Sequence, residues 1–315
     1  MQSEVKVIIV CGEALIDCVP ADCGGRTGLL PKVGGSPYNV ACGLARLAVP
    51  VGYLGRISAD PFGTLLLDRL ADDGVDLTST TRTPAPSPLA IVHLDTDGIA
   101  RYSFHLEGSA TAELAVDDLP DPLDPTVRAV HTGSLALLLE PGRRAVATLL
   151  ERAHAAGALT SLDPNVRPSC IPNREAYLEE LDGWLARTDL VKVSDEDLAW
   201  LYPDRAPLDV LGSWLERGPS LAVLTQGADG AAALSAGGQF ADVPGVNVSV
   251  VDTIGAGDSF TAGLLAWLSD TQALTREQVA RLGTGELTEA LRFAGAAAAV
   301  TCTREGADPP RRDEL

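Results

Sequence analysis

What most constrains this chain is a series of short apolar runs separated by helix-length intervals. The first lies in residues 5–11, where Val7-Ile8-Ile9-Val10 leads to Gly12. An uninterrupted apolar run reads as a strand buried on both faces, which only the interior of a parallel sheet demands. The runs Ala129-Val130-His131, Leu159-Thr160-Ser161-Leu162, Leu190-Val191-Lys192-Val193 and Leu221-Ala222-Val223-Leu224-Thr225 repeat it, with helical patterns such as residues 143–156 between them. Strand and helix alternating at this spacing predict βαβ units, hence an α/β fold with a doubly wound, mostly parallel sheet and helices on both faces. At 315 residues and 46% apolar, the chain can bury a large core. Its length alone fits either one large domain or two.

The rhythm breaks once. Residues 90–94 and 100–105 flank Asp95-Thr96-Asp97-Gly98, and an Asp-Gly turn between β-rich runs signals an antiparallel hairpin. A hairpin cannot enter the interior of a parallel sheet. It is therefore expected to join residues 15–19 in a small separate sheet, a lid formed by about 13–33 and 88–110, with residues 83–88 as a stiff lead into it. Alanine-rich residues 294–300 predict a helix packed closely on the main sheet.

The formal charge of −19 opposes general affinity for nucleic acid or an anionic membrane. It also repels phosphorylated metabolites, so any phosphate site needs a local positive pole. The six cysteines form no C-x-x-C pair and have no histidine at zinc spacing, which predicts free thiols in a reducing compartment. No basic, cleavable leader and no spanning apolar run is visible, so a cytoplasmic location is expected. The terminal Arg312-Asp313-Glu314-Leu315 resembles a retention tail only by coincidence.

The local positive pole is found in Asp252-Thr253-Ile254-Gly255-Ala256-Gly257-Asp258-Ser259-Phe260, ahead of a helical pattern through Trp267. Gly255, Ala256 and Gly257 leave the backbone bare where a helix begins, so successive N–H groups can face one anion, aided by the helix dipole. Asp258 would face whatever approaches that anion; the alternative is a tight turn with an acidic helix start. Neither G-x-x-x-x-G-K-[ST] nor a G-x-G-x-x-G after the first strand occurs, which removes the two commonest nucleotide-binding loops. A second cluster, Gly34-Gly35-Ser36-Pro37-Tyr38-Asn39, also opens a helix. Two glycines there admit a polar ligand, and Asn39 presents both a donor and an acceptor.

The two clusters, about 200 residues apart, together resemble the paired signatures of the ribokinase-like, or PfkB, family of carbohydrate kinases. The resemblance continues through Gly12-Glu13-Ala14-Leu15-Ile16-Asp17, Asp163-Pro164-Asn165-Val166-Arg167-Pro168, Leu224-Thr225-Gln226-Gly227 and Thr303-Arg304-Glu305-Gly306-Ala307, so it covers nearly the whole chain. Within the family the wording is most similar to bacterial fructokinases.

The resemblance implies ATP and Mg²⁺ as cofactors. It implies that Asp258 is the base that takes a proton from the sugar's primary hydroxyl, with Gly255, Ala256 and Gly257 as the anion hole. Asp17, Gly34, Gly35 and Asn39 match sugar-binding positions, and Thr225, Gly227 and Gly230 match a loop beside the ATP phosphates. Gly295 stands where relatives often carry Asn or His near the adenine. Asp252, Ile254, Thr301, Arg304 and Gly306 match a monovalent-cation loop, for which K⁺ is the expected ion. Ser194, with Asp197 or Glu196, replaces the family's N-x-x-E motif that influences Mg²⁺ through water. Ser194 as a plain helix cap is the alternative.

Asn165 and Arg167 follow a strand and so lie at the sheet's carboxyl edge, where open α/β folds bind ligands. Arg101 and His105 on the hairpin are expected to line the lid pocket. In sugar-acid kinases the hairpin ends in a Tyr-Tyr-Arg run that holds a carboxylate; here Leu106 and Glu107 stand in that run, which removes the clamp and favours a neutral ketose. The expected protein is an ATP-dependent sugar kinase, a fructokinase, built as one domain over residues 1–315 with the lid inserted in it, and a homodimer formed through the lid. Kinases for 2-keto-3-deoxygluconate, ribose or a nucleoside are the nearest alternatives, and a non-catalytic sugar or nucleotide sensor is the alternative of another class.

Overall fold

A computed structural model describes residues 7–94 and 100–315. The chain runs β1 (Val7–Cys11), β2 (Leu15–Asp22), β3 (Thr27–Gly34), α1 (Ser36–Arg46), β4 (Val51–Ser58), α2 (Pro61–Asp73), β5 (Thr80–Thr83), β6 (Leu89–Leu94) and β7 (Ala100–His105). It continues through β8 (Val127–Gly133), α3 (Gly142–Ala155), β9 (Leu159–Asp163), α4 (Arg174–Leu185), β10 (Leu190–Ser194), α5 (Asp195–Leu201), α6 (Pro207–Leu215) and β11 (Leu221–Thr225). The last elements are β12 (Ala231–Ser235), β13 (Phe240–Val243), α7 (Ala256–Asp270), α8 (Arg276–Ala280) and α9 (Thr284–Cys302).

The large sheet has the order β13-β12-β11-β10-β9-β8-β1-β4-β5. From β5 to β11 every pairing is parallel, and β12 turns back antiparallel at one edge. The apolar runs explain this. Along β1, Ile8 and Val10 join a core with residues of α1, α7 and α9, while Ile9 and Cys11 join a second core with α3 on the opposite face. A third core lies between α4, α6 and strands β10 and β11. Each fully buried Leu, Ile or Val contributes roughly 1.5–3 kcal/mol, so a strand apolar on both faces is held by helices from both sides. The alanine-rich stretch is part of α9, where Gly263 of α7 lies so close that an added Cβ would meet the Ala294 Cα at 2.9 Å. Small residues let these two helices approach.

The chain steps from β1 outward to β4, then returns to place β8 on β1's other side. Such a reversal opens a crevice at the strands' carboxyl ends, the place where open α/β sheets bind ligands. The loops after β1, β8, β9, β10 and β11 all meet there. Over the crevice stands a second sheet of order β3-β2-β6-β7. The hairpin and residues 15–19 fall in it as the sequence predicts; β3 joins as a further strand, pairing antiparallel with β2. The Asp95-Thr96-Asp97-Gly98 turn and residues 1–6 lie outside the described residues. Among the described residues, no helix is long and apolar enough to cross a membrane, and all six cysteines are free.

Candidate active site

The first turn of α7 is the floor of the crevice. Gly255 caps the helix in the left-handed conformation, φ 76°, and an added Cβ would strike Ala307 at 2.6 Å, so both its backbone and its packing require glycine. The N–H of Ala256 donates to Thr253 O at 3.2 Å. This corrects the expectation of three bare amides: the turn that swings the chain into the helix consumes the middle one. Among the described residues no acceptor takes the N–H groups of Gly255, Gly257 or Asp258, so those remain directed at the crevice with the helix's positive pole.

Asp258 is buried, 8% exposed. Its Oδ1 accepts from Ser36 Oγ at 2.7 Å and its Oδ2 from Asn39 Nδ2 at 2.8 Å. The two signature clusters are thus one constellation, joined by the packing of α1 on α7. Burial pushes the Asp258 carboxyl above its ordinary value; the Ser36 and Asn39 bonds oppose this, Asp163 adds to it and Lys192 opposes it.

Lys192 was not anticipated as part of a site. It is buried on β10 and its Nζ lies 3.0 Å from Asp163 Oδ2 at the end of β9. A Cβ on Gly257 would lie 3.1 Å from that Nζ, so the ammonium adjoins the α7 turn. Burial alone would lower its pKa, but Asp163, Asp197 and Asp258 hold it above the ordinary value. The signal in the sequence was a lysine inside an apolar strand run, a residue almost never buried without a partner.

The other residues of the crevice fall into three groups. Asp17, on the lid strand β2, faces inward and burial raises it to about 6 against the pull of Arg167. The spaces beside Gly34 and Gly35 are filled by the protein: added Cβ atoms would meet Asp17 Oδ2 at 2.2 Å and Glu13 O at 2.6 Å. These glycines make room for the carboxylate and for the chain. Asn165, at φ 40°, follows β9 and accepts Arg167 Nη1 at its Oδ1 at 2.7 Å.

Around the Mg²⁺ motif, Ser194 caps α5, its Oγ accepting from Asp197 N at 3.0 Å. The Asp197 carboxylate turns inward to the Val166 N–H at 3.1 Å, and burial with nearby Asp163 raises it to about 6. Glu196 is exposed, one helical step off the inward face. Thr225 ends β11 beside Ser194, and Gly227 follows at φ 54°. Gly230, which follows at φ 111°, must be glycine because Val243 O would lie 2.0 Å from its Cβ. A Cβ on Gly295 would meet nothing within 4 Å, so that position on α9 is open.

At the far end, Asp252 Oδ1 and Oδ2 accept from the N–H groups of Ile254 and Gly306 at 3.0 and 2.8 Å. The carbonyls of Thr301 and Gly306 accept from Arg304 N and Asp308 N, and Arg304 pairs with Asp308 and Glu314. On the lid, Tyr102 and Phe104 stack at 5.9 Å and pack with Leu106, Leu135 and Leu138 above the crevice. Strand alternation puts His105 on the opposite face, where it is exposed. The period-2 pattern was legible, but which face looks inward was not, and Tyr102 takes the place expected of His105. The Arg101 side chain lies outside the described residues.

The model of the pfkB family carbohydrate kinases matches residues 6–314. A fructokinase of Rhizobium leguminosarum bv. trifolii is 40% identical over 278 residues, 88% of this chain and 84% of that one. The crystal structure of a Xylella fastidiosa fructokinase with bound ATP superposes with a TM-score of 0.88 at 30% identity, covering 99% of this chain and 95% of its own. A Vibrio cholerae fructokinase solved with fructose, ADP and calcium gives 0.82 at 27% identity, over 97% and 95%. With its two signature clusters joined at one acid and nearly its whole length matched, this chain belongs to the pfkB family of carbohydrate kinases.

Proposed function

We propose that this protein transfers the γ-phosphate of ATP to a primary hydroxyl of fructose. The observation that carries the reading is the convergence on Asp258: a buried acid in the first turn of α7, beside unpaired N–H groups and the Lys192 ammonium, under a lid that presents Asp17. The hydroxyl oxygen attacks the γ-phosphorus, its proton passes to the Asp258 carboxylate, and the bond to the bridging oxygen breaks to release ADP. A base so placed is worth roughly 10²–10⁴ in rate. The amides of Gly255 and Gly257 stabilise charge on the transferring group. Asp17 and Asn39 hold sugar hydroxyls, and Arg167, fixed by Asn165, adds a positive group beside them.

ATP lies along the loops that carry Thr225 and Gly227, and the open surface at Gly295 receives its base. Among the described residues no three His, Cys, Asp or Glu side chains converge to hold a metal. Mg²⁺ would be held chiefly by the nucleotide's phosphates, and inward Asp197 is the residue that would reach it through water; a hard cation that keeps most of its water suits this. Bound there, the ion would supply neutralisation of phosphate charge. Asp252, Ile254, Thr301, Arg304 and Gly306 form the loop for a monovalent cation such as K⁺, whose carbonyls would use the lone pairs left after Arg304 and Asp308.

Buried Leu106 at the lid base offers no cation to a sugar acid, which supports a neutral ketose. The chain acts as one kinase domain with the lid inserted in it, in the cytoplasm. Exposed Leu29 and Leu30 on the lid support a homodimer through that sheet. A coupled ADP-release assay over fructose, ribose, 2-keto-3-deoxygluconate and a nucleoside tests the reading. Turnover greatest on fructose supports it; turnover on the sugar acid alone overturns the substrate, and binding without turnover on every acceptor makes the chain a sensor.

A further inference from the structure

We infer that Glu13 and Ser36 are positioning residues for the Asp258 carboxylate: Glu13, at the hinge where the chain leaves β1 for the lid, anchors the first turn of α1, and Ser36 in that turn fixes the acid. The inference rests on the proposal that Asp258 is the base.

Glu13 sits between the end of β1 and the start of β2 and is 1% exposed. Its Oε1 accepts from Ser36 N and its Oε2 from Ala136 N, each at 3.3 Å. Ala136 belongs to the turn after β8, so this one side chain ties β1, β8 and α1 together at the sheet's reversal point. Burying a carboxylate is costly unless donors converge on it. Around it stand Cys11, Tyr53, Ser134 and, farther off, Arg167. An apolar residue would fill the same space; what the acid adds is a fixed position for the Ser36 N–H and the Ala136 N–H.

With the Ser36 backbone held, its hydroxyl reaches Asp258 Oδ1 while Asn39, one turn later, reaches Oδ2. Both oxygens are thereby restrained by α1 alone, and each keeps a lone pair for an incoming hydroxyl. A hydrogen bond to the charged form also favours the carboxylate a base needs. The other charged groups facing Asp258 are Asp163 from β9, Lys192 from β10 and Asp17 from the lid, and all of them stay in place in the variants below.

The test is the pH profile of kcat/KM with ATP and fructose. Ser36→Ala removes only the hydroxyl, so the carboxyl holds its proton to higher pH. The acid limb moves upward, with a loss of roughly tenfold on that side, much less above neutrality, and the fall in kcat rather than in KM. Glu13→Gln, which can accept only one of the two N–H groups, moves the limb the same way. The double variant moves it no further than Ser36→Ala, because Glu13 acts through Ser36. A merely structural role would lower the melting temperature and leave the limb in place. An unmoved limb in Ser36→Ala, beside an inactive Asp258→Asn, overturns this inference and leaves the base intact; an active Asp258→Asn overturns both.

Discussion

Helix α1 meets a buried acid at each end, and the two acids live under opposite rules. At its N-terminus Asp258 is held by a hydroxyl and an amide, both neutral, and burial pushes its carboxyl up. At its C-terminus Asp73 of α2 is just as hidden, but Arg46 Nε lies 2.8 Å and Arg69 Nε 2.6 Å from its oxygens. Burial alone would raise it, yet the two guanidinium groups hold it below the ordinary carboxylate range. Glu13, Asp17 and Asp197 share the condition of Asp258; Asp60 is held low without any charged partner, by the N–H groups of Ser87 and Gly63 and by serine hydroxyls, because it is much less deeply buried. An acid paired with full positive charge builds the fold. An acid given neutral partners, while the one buried ammonium beside it is bound to Asp163, keeps its affinity for a proton.

The sharpest way to break this comparison is to neutralise both ends. Asp258→Asn keeps the size of the side chain, its Oδ1 can still accept from Asn39 and its Nδ2 can donate to the Ser36 hydroxyl, so its melting temperature stays within a few degrees of the parent while kcat falls by roughly 10²–10⁴. Asp73→Ala strands Arg46 and Arg69, which are only partly screened by water, and costs about 2–3 kcal/mol in denaturant unfolding. Its turnover stays within about twofold. If Asp73→Ala proves the more damaging to turnover, the division between the two ends is wrong.

The same division explains what could be foreseen. Strand runs, the hairpin and the two signature clusters follow from periodicity and from local backbone chemistry, and the fold matches them. A partner is harder to foresee than an element. The Glu13–Ser36 and Lys192–Asp163 contacts join residues 23 and 29 positions apart on different elements, and nothing local encodes such a pairing. Glycines are ambiguous for a related reason: at Gly34, Gly35 and Gly230 the protein's own atoms occupy the place of a Cβ, a condition that reads in sequence identically to space kept for a ligand. Strand β3 carries Pro31 and two exposed leucines, a poor strand pattern, and it forms because β2 offers it an edge.

A pH series sharpens the comparison at the site. Burial raises Glu13 to about 7 from an ordinary 4.5, so the folded state holds a proton that the unfolded chain gives up. The stabilisation from that proton is complete below about pH 4.5 and is lost as pH rises through about 7. Asp17 and Asp197, each raised to about 6, act in the same direction, whereas Asp73 and Asp60 act in the opposite one at lower pH. Glu13→Gln removes one contribution only. Relative to that variant, the parent should lose on the order of 2–3 kcal/mol between pH 5 and 7.5. Parallel unfolding curves for the two proteins across that range would show that Glu13 is not buried in its neutral-favouring site.

The smallest effect separates two adjacent acids. Asp197 faces Asp163 and the Val166 N–H at the crevice wall, while Glu196 points into solvent one residue earlier on the same helix. If Mg²⁺ is steadied through water by an inward carboxylate, Asp197→Asn raises the Mg²⁺ concentration needed for half-maximal turnover by roughly tenfold, the size typical of a residue that acts on a metal through another ligand. Glu196→Gln changes it by less than about twofold, since an exposed charge at this distance is screened by solvent and salt. A helix advances about 100° per residue, so the two side chains cannot share a face. Equal Mg²⁺ dependence in the two variants would mean that the net charge of the α5 start, and not the direction of one carboxylate, governs the ion.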